Sequence, residues 1–325
     1  MRSTIIVSLT VLPLLFASPE TVQAQAWRFV VVGDSRGDDN GINAPILTEV
    51  AAAIVSETPA FTLFPGDLVN GSSTPAVLES QLTNWRTTML PVYNAGIGVY
   101  PVRGNHDDDS KAVWDTVFSG PFALPTNGPA GEENVTFSFS HANAFMVGLD
   151  QYGSHSHRVN QTWLDQQFAA NNRPHVFAFG HEPAFEVNHA DCLNDYPANR
   201  DTFWDSLGAE GGRTYFCGHD HFYDHAVADD SYGNTIHQLI VGTAGAPLRT
   251  FDGSRETGST EVYNASEYGY AVVDVDGLDV TITMKERTAP GIFLPTDTFS
   301  YTAVPEPATA SLLALALLRR KNRCP

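Results

Sequence analysis

Apolar runs with no polar alternation recur along the chain, and each closes on a glycine followed by polar residues. Phe29-Val30-Val31-Val32 ends at Gly33-Asp34-Ser35-Arg36-Gly37. Ala60 to Phe64 ends at Gly66-Asp67-Leu68-Val69-Asn70, and Tyr100 to Val102 at Gly104-Asn105-His106-Asp107. Continuous apolar runs of this length predict strands covered on both faces. Between them, Ile46, Leu47, Val50, Ala51 and Ile54 repeat at helical spacing, and a second helical stretch covers Leu78 to Leu90. The first third therefore reads as strand, helix, strand, helix, strand.

The same pattern returns after a Gly-, Pro- and Asn-rich stretch from Val113 to His141, which predicts excursions and an edge hairpin. Phe145 to Leu149 ends in Asp150, and a helix follows from Gln161 through Trp163, Leu164 and Phe168. His175 to Phe179 leads to Gly180-His181-Glu182-Pro183, and Gly212 to Cys217 leads to Gly218-His219-Asp220-His221. Beyond that only strand patterns occur, at Gln238–Gly242, Tyr270–Val275, Val280–Thr283 and Phe299–Tyr301, with Thr288 to Thr298 read as a connection. Strand-helix alternation followed by consecutive strands predicts two packed sheets with helices outside. In such sheets, ligands sit beyond the carboxyl ends of the strands, so Asp34, Asp67, Asn105 and His106 are expected on one rim.

The two ends of the chain carry a different signature. Arg2, an apolar stretch to Phe16 and small residues at Val22-Gln23-Ala24 and Ala24-Gln25-Ala26 read as a signal peptide over residues 1–24, cut after Ala24 or Ala26. Residues 304–325 run from Val304-Pro305-Glu306-Pro307 through the apolar Leu312 to Leu318 into Arg319-Arg320-Lys321-Asn322-Arg323. This tail resembles a PEP-CTERM sorting signal. The resemblance implies export in a Gram-negative bacterium, an exosortase as partner, transient association with the inner membrane, and a final place at the cell surface or outside the cell. Residues 27–303 are left as one large domain.

The chain carries 18 basic and 37 acidic residues, a net charge of −19. That balance argues against a basic patch for nucleic acid. A phosphate-bearing substrate would need local positive charge, for which metal ions are the natural source. Cys192 and Cys217 remain in an oxidising compartment and are a possible disulfide that sequence does not decide.

Collected strand ends give Asp34, Asp67, Asn105, His106, His181, His219 and His221. Carboxylate oxygen, amide oxygen and neutral imidazole are donors for first-row metals, and Asp67 is the candidate for bridging two ions. The ordered series Gly-Asp, Gly-Asp-x-x-Asn, Gly-Asn-His-Asp, Gly-His and Gly-His-x-His resembles the calcineurin-like metallophosphoesterase family. The resemblance implies a four-layer αββα sandwich of two mixed sheets with a dinuclear centre of divalent or trivalent ions (Mn, Fe or Zn). Carried over, Asp34 and His221 would hold the first ion, Asp67 would bridge, and Asn105, His181 and His219 would hold the second. It also implies hydrolysis of phosphate esters by metal-activated hydroxide attack on phosphorus, with a phosphomonoester expected first. His106 would protonate the leaving group, with Asp107 orienting it. The substrate would be a small phosphate ester or a secreted phosphorylated molecule.

One position departs from the family pattern. The first motif is usually Asp-x-His, and here it is Asp34-Ser35-Arg36. Arginine has no lone pair for a metal, so the first site is completed by water or a neighbour, or binds weakly, and Arg36 becomes a candidate phosphate clamp. Purple acid phosphatases supply a tyrosine where Asn70 stands here. His225 and His237 are candidates for groups behind the ligands, His155 and His157 read as loop surface, and His141, His175 and His189 as structural. Trp27, Trp85, Trp114, Trp163 and Trp204 are expected in the core. The loops Gly71–Ser80, Gly120–Asn134 and Glu186–Asn199 would carry specificity. The competing reading is a non-catalytic surface or matrix protein with a degenerate metal centre, and a third is a mononuclear metal-binding module.

Overall fold

The computed structural model describes residues 26–153 and 155–303. The signal-peptide and sorting-tail expectations lie outside the described residues. No helix among the described residues is long and apolar enough to cross a membrane.

The chain runs β1 (Trp27–Val31), a two-strand hairpin of β2 (Arg36–Gly37) and β3 (Gly41–Ile42), α1 (Ala44–Glu57), β4 (Phe61–Pro65), α2 (Pro75–Thr88), α3 (Leu90–Asn94) and β5 (Gly98–Val102). After α4 (Lys111–Val117) come β6 (Phe137–His141), β7 (Ala144–Gly148), α5 (Gln161–Ala170), β8 (His175–Phe179), α6 (Pro197–Ala209) and β9 (Thr214–Cys217). Six strands close the chain: β10 (Tyr223–Asp229), β11 (Thr235–Val241), β12 (Ser259–Ala265), β13 (Gly269–Asp276), β14 (Asp279–Ala289) and β15 (Ile292–Thr302).

Two mixed sheets result. One has the order β15-β14-β13-β1-β4-β5 and the other β12-β10-β11-β9-β8-β7-β6. Strands β1, β4 and β5 run parallel in the first, and β7, β8, β9 and β11 in the second. Strand periodicity explains why the sheets stack between helical layers. In β8, Phe177 and Phe179 join the core between the sheets, whereas Val176 and Ala178 join the cluster beneath α5 and α6. In β9, Phe216 faces the first core, and Tyr215 and Cys217 the second. The intersheet core is aromatic: Phe29 meets the edges of Phe177 and Phe216 at ring separations of 5.1 and 6.0 Å. Helices α1 and α2 cover the outside of the first sheet through Leu47, Val50, Ile54, Leu78, Leu82 and Trp85. The fold is therefore the expected αββα sandwich, with Trp85, Trp114, Trp163 and Trp204 buried in its two cores and Trp27 half-buried at the edge of the first.

Two readings of the chain change. Thr288 to Thr298 is not a connection but the end of β14, the turn and the first part of β15 in the hairpin β14–β15. Its Pro and polar content suits an edge strand, where one face meets water and Pro295 falls at a register shift opposite Lys285. Cys192 and Cys217 are buried, free thiols. Burial pushes the Cys192 thiol up to about 12, so it behaves as a small apolar side chain.

Candidate metal centre

Because β1, β4, β5, β8 and β9 point the same way within their sheets, their ends deliver Asp34, Asp67, Asn105, His181, His219 and His221 to one rim. The rim loops are bonded to each other before any ligand is considered. The Asp34 N–H donates to the Gly66 carbonyl at 3.1 Å, the Ser35 N–H to Asp67 O at 2.9 Å, and the Gly218 N–H to His181 O at 2.8 Å. The carboxylates tie further loops: Asp34 accepts the His219 N–H at 3.0 Å, and Asp67 Oδ1 accepts the His106 N–H at 3.1 Å. Such close approach leaves no room for side chains at Gly104 and Gly218, where a Cβ would fall on the carboxylates of Asp67 and Asp34. Asp34, Asp67 and His219 take φ of 60°, 50° and 72°, a region sparsely used by non-glycine residues and costing about 1–3 kcal/mol each. The surrounding bonds hold them there.

Three imidazoles have their inward nitrogen chosen by a backbone carbonyl, which can only accept. His181 Nδ1–H donates to Pro65 O at 2.9 Å, His221 Nδ1–H to Pro247 O at 3.1 Å and His106 Nδ1–H to Asn70 O at 2.8 Å. Each is left with Nε2 facing the carboxylates: His181 at 3.4 Å and His106 at 3.9 Å from Asp67, His221 at 3.8 Å from Asp34. His219 is arranged the other way. Its Nε2 donates to Asp191 at 3.3 Å, which leaves Nδ1 as its lone-pair donor. Burial lowers the pKa of His181 to about 4, and burial with the Arg36 charge lowers that of His221 to about 3, so both rings are neutral donors at pH 7. Burial and the neighbouring Asp67 charge push Asp34 well above the usual carboxylate range. Two buried carboxylates side by side call for cationic charge.

One cation position fits the donors present. Atoms of Asp34, Asp67 and His181 lie within 4.8 Å of one another, and Asn105 Oδ1 is 3.2 Å from His181 Nε2. His219 stands edge-on to His181 at a ring separation of 5.1 Å. The other position, between Asp34, Asp67 and His221, does not fit an ion. Arg36 Nε–H is there, donating to His221 Nε2 at 3.3 Å and lying 3.6 Å from Asp67 Oδ2.

Asp107 does not orient His106. Its carboxylate is buried and accepts the N–H groups of Gly104, Leu68 and Val69 at 2.9, 3.1 and 3.2 Å, and the Asn70 carbonyl takes the place beside the His106 ring. His225 and His237 do not stand behind the ligands either. They form a chain with Asp297, at 2.8 Å per link, that joins the second sheet to β15. Conversely, Asp191, which the sequence does not mark, and His189 and His157, expected as structural and as loop surface, border the site. Asp191 sets the His219 tautomer, and His189, bonded to Asp220 at 2.5 Å, lies 4.6 Å from the His219 ring. His157 closes onto Glu182, next to His181, at 2.9 Å. The Asp191 and His189 positions fall in the loop that was expected to carry specificity, where no periodicity marks individual residues. Beside the donors opens a cavity of about 660 Å³ whose lining includes Arg36, His106, Asn43, Asn70, Asp38 and Tyr268.

An αββα sandwich whose rim gathers oxygen and imidazole donors beside a guanidinium-lined cavity defines a metal-binding phosphoesterase class. The calcineurin-like phosphoesterase family profile matches residues 28–223, and the chain belongs to that family. Members of the family use a dinuclear metal centre. No curated protein matches the sequence. Among solved structures, a purple acid phosphatase from yellow lupin (Lupinus luteus) seeds superposes with a TM-score of 0.67 at 14% identity, over 86% of this chain and 54% of that one. The chain thus spans about half the length of the lupin enzyme. GAP50, the anchor in the inner membrane complex of Plasmodium, gives 0.63 at 13% identity over 90% and 94%. A dimetal phosphatase from Danio rerio gives 0.57 at 13% over 86% and 99%. These likenesses are of fold.

Proposed function

We propose that the chain is an exported, metal-dependent phosphoesterase that hydrolyses phosphomonoesters. The observation that carries this reading is the convergence, on one rim, of inward-facing donors with two groups suited to a phosphate, Arg36 and His106, both lining the same cavity. Asp67, Asn105, His181 and His219 would hold an ion, with Asp34 adjacent. When bound, it supplies Lewis acidity toward a phosphoryl oxygen and acidifies water.

The chain's own groups account for the rest. A phosphate in the cavity meets the Arg36 guanidinium, whose fork matches two of its oxygens. His106 Nδ1 is engaged by Asn70, so the ring takes up and gives away its second proton at Nε2, on the Asp67 side. From there it protonates the departing alkoxide. A cationic clamp and a proton donor at one phosphate suit a dianionic monoester. The names of two structural neighbours, a purple acid phosphatase and a dimetal phosphatase, agree with that class.

The full chain is expected to hydrolyse p-nitrophenyl phosphate faster than bis(p-nitrophenyl) phosphate after loading with Mn, Zn or Fe. His106→Ala should lower kcat by roughly 100- to 10,000-fold with little change in metal content, whereas Asn105→Ala should lower both. No turnover of either ester with any of the three metals rejects the enzyme. The surface-protein reading would then stand, and Arg36 in place of a ligand is the observation that favours it. Export is tested separately: the secreted protein should begin at Gln25 or Trp27.

A further inference from the structure

We propose that Arg36 is a built-in cation standing where a second metal ion would lie, so that the centre holds one ion per chain. The inference rests on the phosphoesterase reading and changes how that site is composed. Three donors surround the position: Asp34, Asp67 Oδ2 and His221 Nε2. With His221 Nδ1–H fixed on the Pro247 carbonyl, Nε2 is the only lone pair this ring can give a metal, and the Arg36 Nε–H points at it from 3.3 Å. The same nitrogen is 3.6 Å from Asp67 Oδ2. A hydrogen bond and a coordinate bond cannot share one lone pair, so the guanidinium and an ion exclude each other.

The surrounding structure holds Arg36 in this place. Its backbone is paired with Ile42 in the β2–β3 hairpin, and that hairpin is tied down from outside. The Asn70 amide donates to Gly37 O at 2.6 Å, and the Asn70 N–H to Gly41 O at 2.8 Å. Asn84 adds bonds to the carbonyls of Asp39 and Asn40 at 2.8 and 3.2 Å. Asn70 therefore does not replace the missing ligand; it anchors the element that carries the arginine. The hairpin also places Arg36 on the cavity wall beside His106, where its guanidinium would supply to a phosphate the positive charge that a second ion otherwise would.

Metal stoichiometry tests this without reference to activity. The metal-stripped full chain is titrated with Mn²⁺ and the bound metal measured after equilibrium dialysis, with folding checked by circular dichroism. Wild type should saturate at one equivalent and show the electron paramagnetic resonance spectrum of an isolated ion. Arg36→His should take up two and show the multiline spectrum of an exchange-coupled pair. Arg36→Gln, which removes the charge and adds no imidazole, should rise above one equivalent, with the added ion bound more weakly than in Arg36→His. Two equivalents in wild type, or one in all three proteins, overturns the built-in cation while leaving the phosphoesterase reading intact. No metal in wild type overturns both.

Discussion

His106 and Asp107 show how far adjacency in sequence can mislead. The two residues are neighbours in the chain, yet their side chains leave in different directions. Asp107 turns back to accept two backbone N–H groups of the loop after β4, Leu68 and Val69, and a third from Gly104 in its own loop, and His106 is oriented by the Asn70 carbonyl of the loop after β4. Removing the carboxylate leaves buried donors without partners at about 1–3 kcal/mol each. Asp107→Ala should therefore lower unfolding free energy by at least about 3 kcal/mol in urea denaturation, with activity lost through the loop rather than through proton transfer. The metal-ligand candidates were legible because each sits within four residues of the end of an apolar run, where a polar residue has no packing reason to be. Asp191 and His189 were not legible. They reach the site because a long loop folds back over the rim, a contact that leaves no local pattern.

At the scale of elements, β15 is the instructive case. A strand with a mostly exposed face lacks the apolar signal that identifies its neighbours; its place is fixed by the ladder to β14, by Phe299 stacked on His225 and His237, and by polar bonds across the sandwich. Asp297 on β15 accepts from Tyr223 and His225, and His225 in turn accepts from His237 Nδ1–H. Burial, and after it the repulsion between the two imidazoles when both are protonated, depresses the His237 pKa to about 4. Between about pH 6.5 and 4 the unfolded chain therefore binds a proton that folded His237 does not. Its contribution to stability is complete above the upper value and is lost as pH falls through the lower. His237→Gln should flatten the fall in stability across that window relative to wild type, as followed by urea midpoints at each pH. Arg103 and Asp150 make a second link between the sheets' loops, a bidentate buried pair at 2.7 and 2.8 Å. Arg103→Leu alone should cost about 3–5 kcal/mol, and Arg103→Leu with Asp150→Leu markedly less, because only the single change strands a buried charge.

For the whole molecule, a net charge of −19 means that self-repulsion opposes the compact state. The melting temperature near neutral pH should rise by a few degrees between low salt and about 0.5 M NaCl, where the Debye length has shrunk to a few ångströms. A flat response would show that the acidic groups are already compensated locally. The surface pairs Arg287–Glu49 and Arg28–Glu57 show that some are.

The sequence by itself determined the layers and the donors. Apolar runs declare doubly covered strands, and the Gly-polar endings declare which strand ends meet a ligand, since both signals are local. Tertiary structure decided what those donors can do. Which imidazole nitrogen faces inward depends on carbonyls as distant as Pro247 from His221. Whether the first position takes an ion depends on an arginine reaching, from a hairpin near the start of the fold, a histidine 185 residues further on. Neither distance nor direction between such groups is encoded in their spacing, because both arise only when the two sheets close on each other.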